Sequence, residues 1–85
     1  MCTGIVETAE VSGSGKGPHG WFKLEQVNVS YDHPTDATLE QALNIDFVNQ
    51  KEGPGARVAV ELSSESARRL VSAILNALSQ ANLSR

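Results

Sequence analysis

Apolar residues alternate with polar ones along most of this chain, and only its last quarter changes to helical spacing. Alternate side chains of a strand point to opposite faces, whereas a helix returns to one face every three to four residues. The change of period falls after Leu62. Ala56, Val58, Val60 and Leu62 form one clean alternating run. Ala67, Leu70, Val71, Ile74, Leu75, Leu78 and Ala81 then form a broad helical stripe. Ser63 or Ser64 supplies the N-cap, and Glu65 places a negative charge in the first turn, where the helix dipole favours it.

Three further extended segments precede this pair. Thr3 to Val11 puts Ile5, Ala9 and Val11 on one face, with Glu7 intruding there as on an edge strand. Trp21 to Tyr31 changes phase, since Phe22 and Leu24 have one parity and Val27, Val29 and Tyr31 the other. Leu39 to Val48 keeps one phase through Leu39, Leu43, Ile45 and Phe47. Pairing Tyr31 with Leu39 and Val27 with Leu43 then requires an extra residue at Glu25-Gln26 to bring Leu24 opposite Ile45 and Phe22 opposite Phe47. That predicts a β-bulge in the second strand. The glycine-rich stretch Ser12 to Gly20 reads as a mobile loop, and Asn49 to Gly55 reads as a turn.

The fold expected is α+β: a four-stranded antiparallel sheet in meander order, packed by one C-terminal helix, with residues 1–85 as a single domain. With one Trp, one Tyr and two Phe, the core must be built from aliphatic side chains. A single helix covers one face of such a sheet. The other face, with Val6, Ala42, Val48, Ala59 and Trp21, is weakly polar and suits burial against a second copy. A homodimer or higher homo-oligomer is therefore expected.

Composition excludes several function classes. The formal charge is −3 and the basic residues are scattered, so no stripe exists for a nucleic-acid backbone. No apolar run approaches the about 18 residues that span a bilayer, and no secretory signal pattern is present. One cysteine fits a reducing compartment, so a soluble, cytoplasmic protein is expected. Gly13-Ser14-Gly15-Lys16-Gly17 is no phosphate loop. Glu10 and Gly17 stand where that motif needs Gly and Ser or Thr, and a strand follows.

In a meander the loops after odd strands share one end of the sheet. The other end gathers Cys2, the Asp32–Thr38 loop and the helix N-terminus. Asp32, His33 and Asp36 offer an imidazole and two carboxylates, which with the Cys2 thiol make a candidate divalent-metal set. Asp before a proline turn is also an ordinary turn initiator. Trimming of Met1 would expose Cys2 with its amine, and a Cys2 thiolate with His33 as base is the catalytic alternative. Asp46 and Arg57 are diagonal across the last hairpin and read as an ion pair. Three functions stay open: a non-catalytic ligand- or metal-binding module, a Cys2 enzyme, and a structural or partner-binding module without ligand.

Met1-Cys2-Thr3, Gly13-Ser14-Gly15-Lys16-Gly17, Gly20-Trp21-Phe22, Asp32-His33-Pro34, Leu43-Asn44-Ile45-Asp46-Phe47 and the run Ala56 to Ser63 together resemble a family of short bacterial proteins of unknown function. The resemblance runs the whole length and implies no activity. It implies further histidines at the positions held here by Asp36 and Gln41, so this loop is poorer in metal ligands than the family pattern.

Overall fold

The computed structural model describes residues 5–34, 38 and 40–82. Four antiparallel strands, β1 (Ile5–Gly17), β2 (Gly20–Asp32), β3 (Ala42–Val48) and β4 (Arg57–Leu62), precede one helix, α1 (Ser64–Gln80). The strand order is β1-β2-β3-β4, the meander expected from the alternation. The strand starts expected at Thr3 and Leu39 lie outside the described residues.

The register places Tyr31, Leu43 and Leu62 in one row, Val29, Ile45 and Val60 in the next, and Val27, Phe47 and Val58 in a third. These nine side chains tile one face of the sheet. Ile5 and Ala9 extend the outer rows onto β1, with Glu7 between them. The expected pairing of Tyr31 with Leu39 is corrected by four residues, to Leu43. A shift of four keeps every side chain on its face, so parity could not distinguish the two registers. The observed one matches branched and aromatic residues across three strands.

The other face is polar. Thr8 Oγ1 and Gln26 Nε2 both donate to Asn28 Oδ1, at 3.0 and 2.8 Å. Arg57 Nε donates to Asp46 Oδ1 at 2.7 Å, the diagonal ion pair that the alternation predicts. That hydrogen bond, then the carboxylate's charge, raises the Arg57 pKa above its ordinary value. The pair is solvent-accessible and contributes at most about 1 kcal/mol.

Two expectations about the glycine-rich stretch are corrected together. Ser12 to Gly20 is no mobile loop: β1 runs on to Gly17, and only Pro18 and His19 form the turn to β2. The bulge lies opposite Glu25, but in β1. Glu10 pairs with Gln26 and Gly13 with Leu24, so Val11 and Ser12 together face the single Glu25. Between β2 and β3 no shift occurs, and Phe22 pairs with Gly15 rather than meeting Phe47. The bulge bends the hairpin tip towards β4. A Cβ on Gly15 would lie 2.9 Å from Leu24 Cδ2 and 3.5 Å from Val58 Cγ2. A Cβ on Gly17 would lie 3.0 Å from the Gly55 carbonyl oxygen and 3.3 Å from that of Arg57. Glycine here permits backbone-to-backbone approach of the two edge strands, which explains its abundance without mobility.

Where β3 ends, Asn49 ties this curl to the rest of the sheet. Its side chain is buried; Nδ2 donates to the Lys23 carbonyl at 2.9 Å, while Oδ1 accepts from Lys51 N–H at 3.1 Å. The link is made just beyond the last β2–β3 backbone pair, so it carries on the pairing that the bend interrupts.

The helix departs most from expectation. Ser63 is its N-cap, accepting from Ser66 N–H at 3.1 Å, and Ala67 is buried beneath its first turns. Beyond that point the helix does not cover the sheet. Leu70, Val71, Ile74, Leu75 and Leu78 are 41, 56, 51, 60 and 40% exposed. The expected packing of the helix over one face is thus confined to its N-terminal end. A single residue separates β4 from α1, whereas strand-to-helix connections that fold back commonly use two to six. Among the described residues the buried positions are Ala42, Ala56, Ala67 and Asn49, and no large side chain is fully buried. Ala42, expected on the weakly polar face suited to burial against a second copy, is the most buried of these within the single chain. The radius of gyration is 14.0 Å, against about 12 Å for a compact domain of this length.

Two substitutions test this account. Gly17→Ala is expected to destabilise by about 1–3 kcal/mol in urea unfolding, because its Cβ meets backbone that cannot step aside. Lys16→Ala, one residue away and exposed, serves as the control and is expected to change little. Asn49→Asp keeps the acceptor for Lys51 N–H but removes the donor to Lys23; a loss of about 1–3 kcal/mol is expected. Unchanged unfolding midpoints would show that neither contact matters.

Candidate functional site

Of the residues singled out for chemistry, Asp32 and His33 lie where β2 ends. Asp32 is the last residue of β2, paired with Ala42, and His33 follows it. Asp32 Oδ1 accepts the His33 backbone N–H at 2.7 Å; the residue two on is Pro34, which has no N–H, so this is not the Asx-turn bond that initiates a turn. The His33 ring crosses the connection, with Nδ1 2.8 Å from the Glu40 carbonyl oxygen. A carbonyl only accepts, so Nδ1 is the donor in this contact. His33 therefore has a structural task, holding the two ends of the β2–β3 connection together. Cys2 and Asp36 lie outside the described residues, and among the described residues no group of three His, Cys, Asp or Glu is placed to hold a metal.

The helix N-terminus is at this same end of the sheet. Leu62 shares a row with Tyr31, and Ser63 follows, so Asp32 and Ser63 are about two strand spacings apart, roughly 10 Å. Yet the two groups serve opposite faces. Asp32 and His33 line a hollow of about 330 Å³ on the polar face, beside Asn28, Ser30, Asn44 and Asp46. Ser64, Ala67, Arg68 and Val71 instead overhang the apolar face, forming with Val29, Tyr31 and Leu43 an open groove of about 630 Å³. Counting strand directions located the common end of Asp32, His33 and Ser63; Cys2, expected there too, lies outside the described residues. Counting could not show that the sheet stands between the imidazole and the helix dipole.

The hollow mixes hydrogen-bonding side chains with apolar ones, Val6, Ile45, Ala59 and Val60 among them. Parity alone assigns Asn28, Ser30, Asn44 and Asp46 to one face, a signal present in the sequence. Asn44 Nδ2 donates to the Ala42 carbonyl at 3.3 Å, which steadies it within the strand. The hollow is shallow, and its size is at the low end for small-ligand sites.

The opposite end holds the two turns that the meander places together. The His19 ring lies against Gly55, where a Cβ would come within 2.5 Å of its Cδ2. Trp21 is 71% exposed; with the extra residue in β1 rather than β2, it keeps the parity of Tyr31 along β2, which corrects its expected place on the opposite face. Nothing at this end resembles a phosphate cradle, since the glycine-rich segment is strand and no helix follows it.

No helix among the described residues is long and apolar enough to cross a membrane. No curated protein and no solved structure matches the chain. A family model covers residues 1–84, nearly the whole sequence, so that the resemblance read from its scattered motifs becomes membership: this chain belongs to a family of unknown function, DUF6295.

Proposed function

We propose that the chain is a non-catalytic binding module that works as a homodimer, using its apolar face for association and its polar face for a small ligand. The carrying observation is the uncovered apolar surface. Five large side chains of α1 are 40–60% exposed, and none of the nine grid residues of the sheet is fully buried. Burying such side chains contributes roughly 1.5–3 kcal/mol each, so leaving them in water forfeits much of what a chain this small can gain. A helix of 17 residues is itself marginal in water without tertiary cover.

The expected dimer used the weakly polar face; the distribution of exposed side chains favours the apolar one. The hollow beside Asp32 and His33 then stays accessible in the dimer. The single cysteine suits a reducing compartment, and a cytoplasmic location belongs to the same proposal. Nucleic acid is not among the partners proposed.

A second reading adds a divalent cation at Asp32 and His33, with Cys2 and Asp36 as the remaining donors. It rests on the chemistry of the donor set, an imidazole and carboxylates with a thiol, which suits a divalent metal. The Cys2 thiolate enzyme needs Cys2 beside His33, and no step is assigned to that pair.

Sedimentation equilibrium of the untagged protein is expected to give twice the chain mass at micromolar concentration. A monomer at 100 μM, roughly, would contradict the dimer, since an interface of standard size binds far more tightly. Elemental analysis of the same preparation tests the cation. About one equivalent per chain, lost in His33→Ala, is the outcome the metal reading expects; metal content indifferent to that substitution would remove it.

A further inference from the structure

We infer that the homodimer forms by reciprocal helix exchange: α1 of each copy lies in the groove between the sheet and α1 of the other. This rests on the dimeric reading above and specifies how the apolar surfaces meet.

Three observations lead there. The first is the lack of charge on the helix. From Leu70 to Asn82 there is no Asp, Glu, Lys or Arg, although a helix with one wet side ordinarily carries them. The polar positions there are Ser72, Asn76, Ser79, Gln80 and Asn82, small or neutral, as in the charge-depleted centre of an interface. The charges that α1 does carry, Glu65, Arg68 and Arg69, sit in its first two turns, and Glu65 and Arg69 pair with each other at 3.3 Å. The helix is charged where it leaves its own sheet and uncharged where it projects.

The second observation is that one chain carries both halves of a fit. The groove is concave and lined by Val29, Tyr31 and Leu43 below and by Ala67 and Val71 at the side. The exposed ridge of Ile74, Leu75 and Leu78 is apolar and convex. The 17-residue helix is about 26 Å long and the seven-residue β3 about 24 Å, so a partner's helix can run the length of the sheet. A surface and its complement on the same chain, exchanged about a two-fold axis, close into a dimer with nothing left to propagate.

Area is the third. The chain exposes 6465 Å², against about 4,900 Å² for a folded monomer of its mass. That total includes the eleven residues outside the described set. Half of the excess would still match the roughly 800 Å² per partner of a standard interface.

The test uses the native sequence. In a mixture of ¹³C-labelled and unlabelled chains, isotope-filtered NOE spectra should show methyls of Ile74, Leu75 and Leu78 close to the rings of Tyr31 and Phe47 across chains. Sedimentation of the same sample separates the outcomes. A monomer overturns the dimer and the exchange together. A dimer whose cross-chain peaks run only from helix to helix, or only from sheet to sheet, overturns the exchange and leaves the dimer standing. As a second measure, Leu75→Glu, at a position accessible in the single chain, should weaken dimerisation at least tenfold. A dissociation constant within twofold of the native one would overturn the exchange.

Discussion

Ser63 is the only residue between β4 and α1, and the shape of the chain depends on it. Its side chain accepts the Ser66 amide hydrogen, so the helix begins one residue after the strand stops. A connection that short cannot carry a helix back across the sheet it has just left. Ala67 is buried and Val71 still borders the groove, but Ile74, Leu75 and Leu78 beyond it are 51, 60 and 40% exposed. Everything distinctive about the surface follows: an apolar face with a helix at one end only, and an apolar helix with no sheet beneath it.

The two ends of the sheet are built on contrary principles. At the hairpin end, the β1 bulge and the glycines at 15 and 17 let the edge strands approach until backbone meets backbone, and Asn49 secures the curl. That end is closed by its own chain. At the other end, where Asp32, His33 and Ser63 lie, the sheet stays open and the helix departs. A curled end provides rigidity without a large core, which this composition could not supply in any case. The open end leaves the nine-residue grid for another surface to cover.

Much of this was legible in the sequence, and the failures have physical causes. The change of period at Leu62, the serine cap, the meander and the Asp46–Arg57 pair follow from side-chain spacing and local hydrogen bonding, which act within a few residues. The phase change in β2 correctly marked an irregularity near Glu25. It placed the extra residue in the wrong strand: a bulge in β1 leaves the alternation of β2 itself intact, so Phe22 and Leu24 keep the parity opposite to Val27, Val29 and Tyr31. The β2–β3 register was wrong by four residues because an even shift preserves every face. Glycine misled because the same residue serves mobility and close backbone approach, and only the partner strand distinguishes them. Of the candidate site, the common end was legible. The sheet dividing His33 from the helix N-terminus was not, since that depends on which face the helix meets.

Membership in DUF6295 brings no activity with it, so the account stands on packing. Its central claim is that the single chain buries too little apolar surface to be stable alone. Folding and association would then be one equilibrium, and stability would depend on protein concentration. Thermal unfolding followed by calorimetry at several concentrations tests this directly. With an unfolding enthalpy near 0.7 kcal/mol per residue, the account predicts that Tm rises by roughly 4 °C for each tenfold increase in concentration. A Tm that stays constant from micromolar to millimolar concentration, with full reversibility, would show that the monomer folds and holds unaided, and would contradict the account.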